Sequence, residues 1–307
     1  MIGEKDLGIR HFSLEEYVDK IKVNDMVKDH LQYTEDEFIE YIEKISKYDM
    51  DYINKYWIYL LYDEMKSNQA IEDYHPHNID KIPDRLLSNN MVMTNNKIHE
   101  LHDIIMQGTN KDGLAYRDRS VRVSSIRPNG EEEIFYYGAN HEDVDRFMND
   151  FVKIYNHIDN KYIEQSSFLK SALLHMLFLR IHPYRDGNGR TARVLHNLKF
   201  TASLSRFYGV SLKLSPINLS DSLNINKITY VNNMNRFAFN NKDDDNEHFN
   251  KWFDFMLSMA DEQIYKRSQQ VDRIDSRFLK QIDEAVEKMG ISNPKDNGVK
   301  ALKKIYR

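Results

Sequence analysis

Residues 182–193 read His182-Pro183-Tyr184-Arg185-Asp186-Gly187-Asn188-Gly189-Arg190-Thr191-Ala192-Arg193. An apolar run, Phe168 to Ile181, ends at the His-Pro step, where the residue before proline is pushed out of the helical region. A loop with two glycines follows, and a helix is expected from about Gly189 to Leu204. Gly and Asn are the usual formers of such a corner. The arginines are not explained by a corner. Arg190 and Arg193 stand three apart, on one face of the first turns of the new helix. Cations there are disfavoured by roughly 0.3–1 kcal/mol each. Two guanidinium groups beside free backbone amides make sense with an anion between them, so a phosphate site is expected here. Asp186 adds a hard carboxylate suited to Mg2+ shared with substrate phosphates. His182 can accept a proton near neutral pH. Base, metal ligand, amide nest and arginines are the parts of phosphoryl or nucleotidyl transfer. The spacing GxxxxGK[ST] is absent, which excludes a P-loop enzyme.

Outward from this corner the chain reads mostly as helices. On the N-terminal side, Ile98, Leu101, His102, Ile105 and Met106 mark an amphipathic helix stopped at Gly108. Helical spacing also runs through Asn140 (a candidate N-cap), Val144, Phe147, Met148, Phe151 and Tyr155. Between these two, Val121, Val123 and Ile126 precede Pro128-Asn129-Gly130, and Ile134 to Tyr137 follow. Two β-rich runs about such a turn predict a hairpin over Val121–Tyr137. Earlier, apolar residues recur at helical spacing from Phe12 to Met65. Thr34 with Glu37 three residues later reads as a capping box. After the central corner, helices are expected near Ile225–Phe237 and His248–Ile264. The fold class is all-α with one β-hairpin. The expected organisation is a helical extension over 1–94, a core domain over 95–265 and a helical tail over 266–307.

Composition narrows the chemistry. The 307 residues contain no cysteine, which excludes disulfides, thiolate metal sites and thiol nucleophiles. Only 11 Gly and 6 Pro are present, too few for a propeller or large sandwich. The 48 acidic side chains outnumber the 43 basic ones, so bulk charge does not favour a nucleic-acid partner. No span of about 18–20 uncharged apolar residues occurs: Phe168–Ile181 is shorter and carries Lys170, His175 and Arg180. The N-terminus has no apolar stretch of the signal-peptide kind. A cytoplasmic protein without a membrane span is expected, its oligomeric state left open.

With those residues in place, a resemblance is visible. His182–Arg193 is similar to the HxFx(D/E)GNGRxxR signature of the Fic family, the adenylyl-transferring branch of the Fic/Doc proteins, with Tyr184 in place of Phe. The order of His102–Gly108, Gly113, Tyr116-Arg117, the hairpin and Asn226–Tyr230 fits the same family across about 95–265. The Doc kinase branch replaces the first motif glycine, so Gly187 and Gly189 favour nucleotide transfer.

The resemblance implies a Fic-type helical bundle that moves AMP from MgATP onto a protein hydroxyl, with the chain itself among the acceptors. His182 would be the base and Asp186 the Mg2+ ligand. Gly187, Asn188 and Gly189 would form the anion hole, largely through backbone amides. Arg190 would hold the β-phosphate and Arg193 the γ-phosphate. Tyr230 would line the adenine side, and the hairpin would be a flap on which the target docks as an added strand. The family also implies an inhibitory helix whose [ST]xxxE[GN] glutamate pairs with the second motif arginine. Glu72, within Glu64-Met65-Lys66-Ser67-Asn68-Gln69-Ala70-Ile71-Glu72-Asp73, is the first candidate, although Asn68 and Asp73 depart from the pattern. Glu262 is the alternative. Removal of AMP, or nucleotide binding by a regulatory or toxin protein with little turnover, are the rival activities.

Overall fold

The computed structural model describes residues 13–71, 92–106, 115–126, 129–161, 166–207, 212, 214–235, 245–273 and 275–289. The N-terminal helices are α1 (Leu14–Asp19), α2 (Asp25–Ile45) and α3 (Met50–Ala70). The middle of the chain holds α4 (Asn95–Met106), the strands β1 (Arg122–Ile126) and β2 (Glu132–Tyr137), and α5 (His141–Lys161). The expected corner lies between α6 (Ser167–Ile181) and α7 (Asn188–Phe207). The C-terminal part is α8 (Ser220–Ile225), α9 (Lys227–Asn235), α10 (Asp245–Asp272) and α11 (Ser276–Met289). Among the described residues the chain is therefore all-α with one hairpin. Among the described residues no helix is long and apolar enough to cross a membrane.

Helix α6 is the axis of the core. Every one of its residues is buried, which explains why its sequence is apolar on nearly all sides rather than striped. Helices α5, α7 and α10 surround it. Trp252 of α10 donates its indole N–H to the Ala172 carbonyl at 2.8 Å, so the polar end of a large buried side chain is satisfied. The N-terminal helices share this core. Val27, Phe38, Tyr41 and Ile42 of α2 belong to the same buried cluster as Leu173 and Trp252, and Phe38 meets Phe168 edge-on with centroids 5.7 Å apart. Helix α11 packs on α3 through a row of rings, in which Phe278 lies edge-on to Tyr59 at 5.4 Å.

One expectation is corrected in detail. The Thr34–Glu37 pair does not begin a helix. Thr34 lies inside the continuous α2, buried, its hydroxyl donating to the His30 carbonyl at 3.0 Å, because the apolar stripe from Val27 to Ile45 is buried as one face. The start signal that acts is Asn24, whose Oδ1 accepts from the Val27 amide at 2.9 Å. Within the expected stretch near Ile225–Phe237, α9 covers Lys227–Asn235, and α8 ends at Ile225 just before it. Helix α10 continues past residue 265, and Arg267 and Val271 are buried in that continuation. Arg267 is held there by Asp63 of α3 and by Gln270 at 2.9 Å.

The strands pair antiparallel from Arg122↔Tyr137 to Ile126↔Glu132, with an irregularity between Val123 and Ser124. Gly130 takes φ +84° in the turn. The hairpin is exposed at Arg122 and Glu132, whose side chains pair across it at 2.7 Å.

Candidate active site

The site is the α6–α7 corner. Helix α6 ends on His182, whose amide donates to the Phe178 carbonyl at 2.9 Å and whose backbone is left-handed, φ 52° and ψ 60°. Pro183 follows and cannot donate to a continued helix, so the chain turns here. A non-glycine residue in this region is held at a cost of about 1–3 kcal/mol and persists only when its surroundings demand it.

Below the corner, Tyr184 is fully buried. Its ring stacks on His102 of α4 with centroids 3.6 Å apart and 7° between planes, and its hydroxyl lies 2.8 Å from His99 Nδ1. The side chain of Asn188 closes the loop on itself. Its Oδ1 accepts from the Tyr184 amide at 2.9 Å, and its Nδ2 donates to the Tyr184 carbonyl at 2.8 Å. The Asn188 side chain thus braces the loop. His102 donates from Nε2 to the Asp186 carbonyl at 2.9 Å. Gly187 has φ +76°, and a Cβ there would lie 2.4 Å from Met106 Sδ, so only glycine fits.

The first helical bond of α7 runs from the Thr191 amide to the Gly187 carbonyl at 2.9 Å. The amides of Asn188 and Gly189 precede it in the first turn, where a helix supplies no acceptors of its own. Asp186 stands at the mouth with its side chain 74% exposed. Its Oδ1 accepts from the Gly187 amide at 2.6 Å and its Oδ2 from Arg190 Nη2 at 3.2 Å. No cluster of three or more metal-ligating side chains occurs among the described residues. A lone, open carboxylate beside an anion nest fits a cation that brings its other ligands as water and phosphate, which is the habit of Mg2+.

Both motif arginines are buried, Arg190 at 6% and Arg193 at 2% exposure. The last turn of α3 holds them. Arg193 donates from Nε to Asn68 Oδ1 at 2.6 Å and from Nη2 to the Asn68 carbonyl at 3.1 Å. Asn68 Nδ2 donates to the Arg190 carbonyl at 3.1 Å, and Arg190 Nη1 lies 3.5 Å from Gln69 Oε1. One turn earlier, Glu64 accepts from Asn197 of α7 at 2.7 Å and from the Ser220 amide at 3.1 Å. Burial pushes its carboxyl up to about 7, against those hydrogen bonds and Arg193. Asn68 was visible in the sequence only as a mismatch to the inhibitory pattern, yet it is the residue that meets Arg193.

The other site expectations divide. His182, Asp186, Gly187, Asn188, Gly189, Arg190 and Arg193 come together on one corner. Tyr230 is 5% exposed, with its hydroxyl 2.8 Å from His175 Nε2. Glu262 accepts from Asn226 Nδ2 at 3.0 Å, between α10 and the α8–α9 turn. Glu72 lies outside the described residues. Sequence reading gave no role to Arg117, which is buried and bonded to the corner from the hairpin side.

Residues 92–199 match the Fic/DOC family. Solved structures similar to this chain include a Fic family protein from Desulfovibrio desulfuricans G20, at 14% identity over 91% of this chain and 75% of that one, TM-score 0.43. A Fic domain containing signaling protein from Bacteroides thetaiotaomicron VPI-5482 matches at 18% identity over 85% and 96%, TM-score 0.40. Fic-1 (residues 134–508) from C. elegans matches at 14% identity over 85% and 74%, TM-score 0.44. With the match enclosing the whole His182–Arg193 corner, residues 92–199 of this chain form a Fic/DOC family domain.

Proposed function

We propose that the chain is a protein adenylyltransferase that moves AMP from MgATP to a hydroxyl side chain of a target protein. The observation that carries this reading is the joining of a base to an anion nest. His182 sits at the end of α6, and six residues on the first turn of α7 begins, flanked by Asp186, Arg190 and Arg193. His182 takes the proton of the target hydroxyl as its oxygen attacks the α-phosphorus. The bond to the β-phosphate bridging oxygen breaks, and pyrophosphate leaves. The amides of Asn188 and Gly189 stabilise the charge that develops on the transferred group. Asp186 would hold Mg2+, which when bound neutralises phosphate charge and fixes the triphosphate. The hairpin is the docking edge for the target segment in this reading, since a strand edge can add an extended peptide.

The glycine pair Gly187 and Gly189 supports transfer of the nucleotide rather than of phosphate. The test is labelling with ATP carrying the label at the α- or the γ-phosphate. Protein labelled from the α-position, and lost by about 10²–10⁴-fold in His182→Ala, is the expected result. Label from the γ-position would make it a kinase. Free AMP released from an already modified target would make it the reverse hydrolase, and nucleotide binding without labelling a regulatory binder.

A further inference from the structure

Arg117 occupies an unusual place for a charged side chain. It is 3% exposed, and the acceptors of its guanidinium are main-chain carbonyls from two different parts of the fold. Nε donates to the His182 carbonyl at 2.7 Å, and Nη2 reaches the Ile181 carbonyl at 3.3 Å. Nη1 donates to the Arg119 carbonyl at 2.7 Å, on the way into the hairpin, and Nη2 also to that of Ala139, just after it. Its own amide donates to the Pro183 carbonyl at 2.9 Å. Burial lowers the guanidinium to about 10, so it remains charged at neutral pH.

The two sides that Arg117 joins also touch directly. The Ala139 amide donates to the Ile181 carbonyl at 3.3 Å, and the Gly138 amide to the Val121 carbonyl at 3.2 Å. A Cβ on Gly138 would lie 3.0 Å from Arg117 Nη2 and 3.0 Å from His182 Cβ. There is no slack between the hairpin's end and the base. His182, meanwhile, is held in a left-handed conformation that needs outside support. A planar fork with five donors can grip carbonyls on both sides at once, whereas a lysine ammonium cannot reproduce that geometry.

We infer that Arg117 is a positioning residue that ties the orientation of His182 to the hairpin, so that seating a target segment on the hairpin edge is felt at the base. The inference rests on the proposed transfer reaction. Its core claim about His182 can be measured without that reaction.

The experiment compares the full chain with Arg117→Lys, Gly138→Ala and the double variant. The first readout is the imidazole resonances of His182 by NMR in the absence of nucleotide, with His175 and His196 as internal references. The second is kcat and KM for ATP in the labelling reaction. The third is MgATP affinity by calorimetry. Each single variant is expected to shift the His182 resonances, leave the references in place and lower kcat by roughly tenfold or more, because small misplacements of a reacting group carry such costs. MgATP affinity is expected to stay within about twofold. The double variant is expected to fall no further than the worse single one, since both break the same link. Unchanged His182 resonances in a folded Arg117→Lys, or losses that multiply in the double variant, overturn the inference. So does MgATP affinity that falls in step with kcat, which would put Arg117 in nucleotide binding. If Arg117→Lys does not fold, Gly138→Ala decides by the same readouts. If the parent labels nothing, the proposed function fails while the resonances still decide on Arg117.

Discussion

Asn68→Ala isolates what the end of α3 does to the phosphate site. The substitution removes the acceptor that lies 2.6 Å from Arg193 Nε, in a place where Asn68 is 1% and Arg193 2% exposed. It leaves the Asn68 carbonyl, which accepts from Arg193 Nη2. A hydrogen bond to a charged group contributes about 1.5–3 kcal/mol. On the expectation that Arg193 holds the γ-phosphate, ATP has to break this bond first in the parent. Freed from it, ATP should bind tighter by a factor of about 10 to 150, the same energy expressed as an affinity ratio. The nucleotide-free variant bears the opposite sign. A buried donor without its acceptor costs roughly 1–3 kcal/mol, so its melting temperature should drop and recover when ATP is added. ADP, lacking the γ-phosphate, serves as the control. Calorimetry with both nucleotides in the presence of Mg2+ is the assay, and self-labelling should rise with ATP affinity. An ATP-to-ADP affinity ratio equal to the parent's would refute the reasoning. It would mean that Arg193 does not serve the γ-phosphate or that Asn68 does not withhold it.

Further outcomes follow from the same geometry. Gly187→Ala should cost about 1–3 kcal/mol, because φ +76° is strained for alanine and its Cβ would meet Met106 and His102; a thermal melt with nucleotide affinity alongside checks it, and an unchanged melt contradicts it. Asp186→Ala should abolish the Mg2+-dependent part of ATP binding while sparing the metal-free part. Glu72→Gly should raise self-labelling, whereas Glu262→Gly should leave it at the parent rate; the reverse pattern would move restraint to α10. His30 of α2 bridges Asp254 at 2.7 Å and Asp261 at 2.8 Å, both on α10. Burial opposes its protonation, but hydrogen bonds and charge from the two carboxylates outweigh it and raise the pKa above 6.5. Stability from this bridge is therefore full below about pH 6.5 and is lost as pH rises through the raised value. Melting temperatures followed from pH 5.5 to 9 should fall more steeply in the parent than in His30→Gln; parallel curves would remove the bridge from the balance.

Much of the site could be read without a fold, because its parts are neighbours in sequence. His182 to Arg193 occupy one helix end, one loop and one helix start, so backbone geometry alone brings them together. The proline after His182 and the glycine at 187 mark where the chain must turn. The solid apolar character of 168–181 likewise specified a helix buried on every side. What sequence could not decide is anything that depends on a partner far along the chain. The local signature at Thr34 and Glu37 is as good a helix start as many real ones, and it yielded to the burial of α2 as one face. Tyr230 has the same side chain whether it lines a ligand or fills a core, and its bond to His175, 55 residues away, could not be read from its neighbours in sequence. Asn68 looked like a defect in a motif until α3 was placed against Arg193, 125 residues on. Arg117 had no local reason to be buried, and its role rests on carbonyls 22 and 65 residues away. Short-range chemistry is written in the order of residues. The contacts that restrain and aim it exist only once hydrophobic burial has packed α3 and the hairpin against the α6–α7 corner.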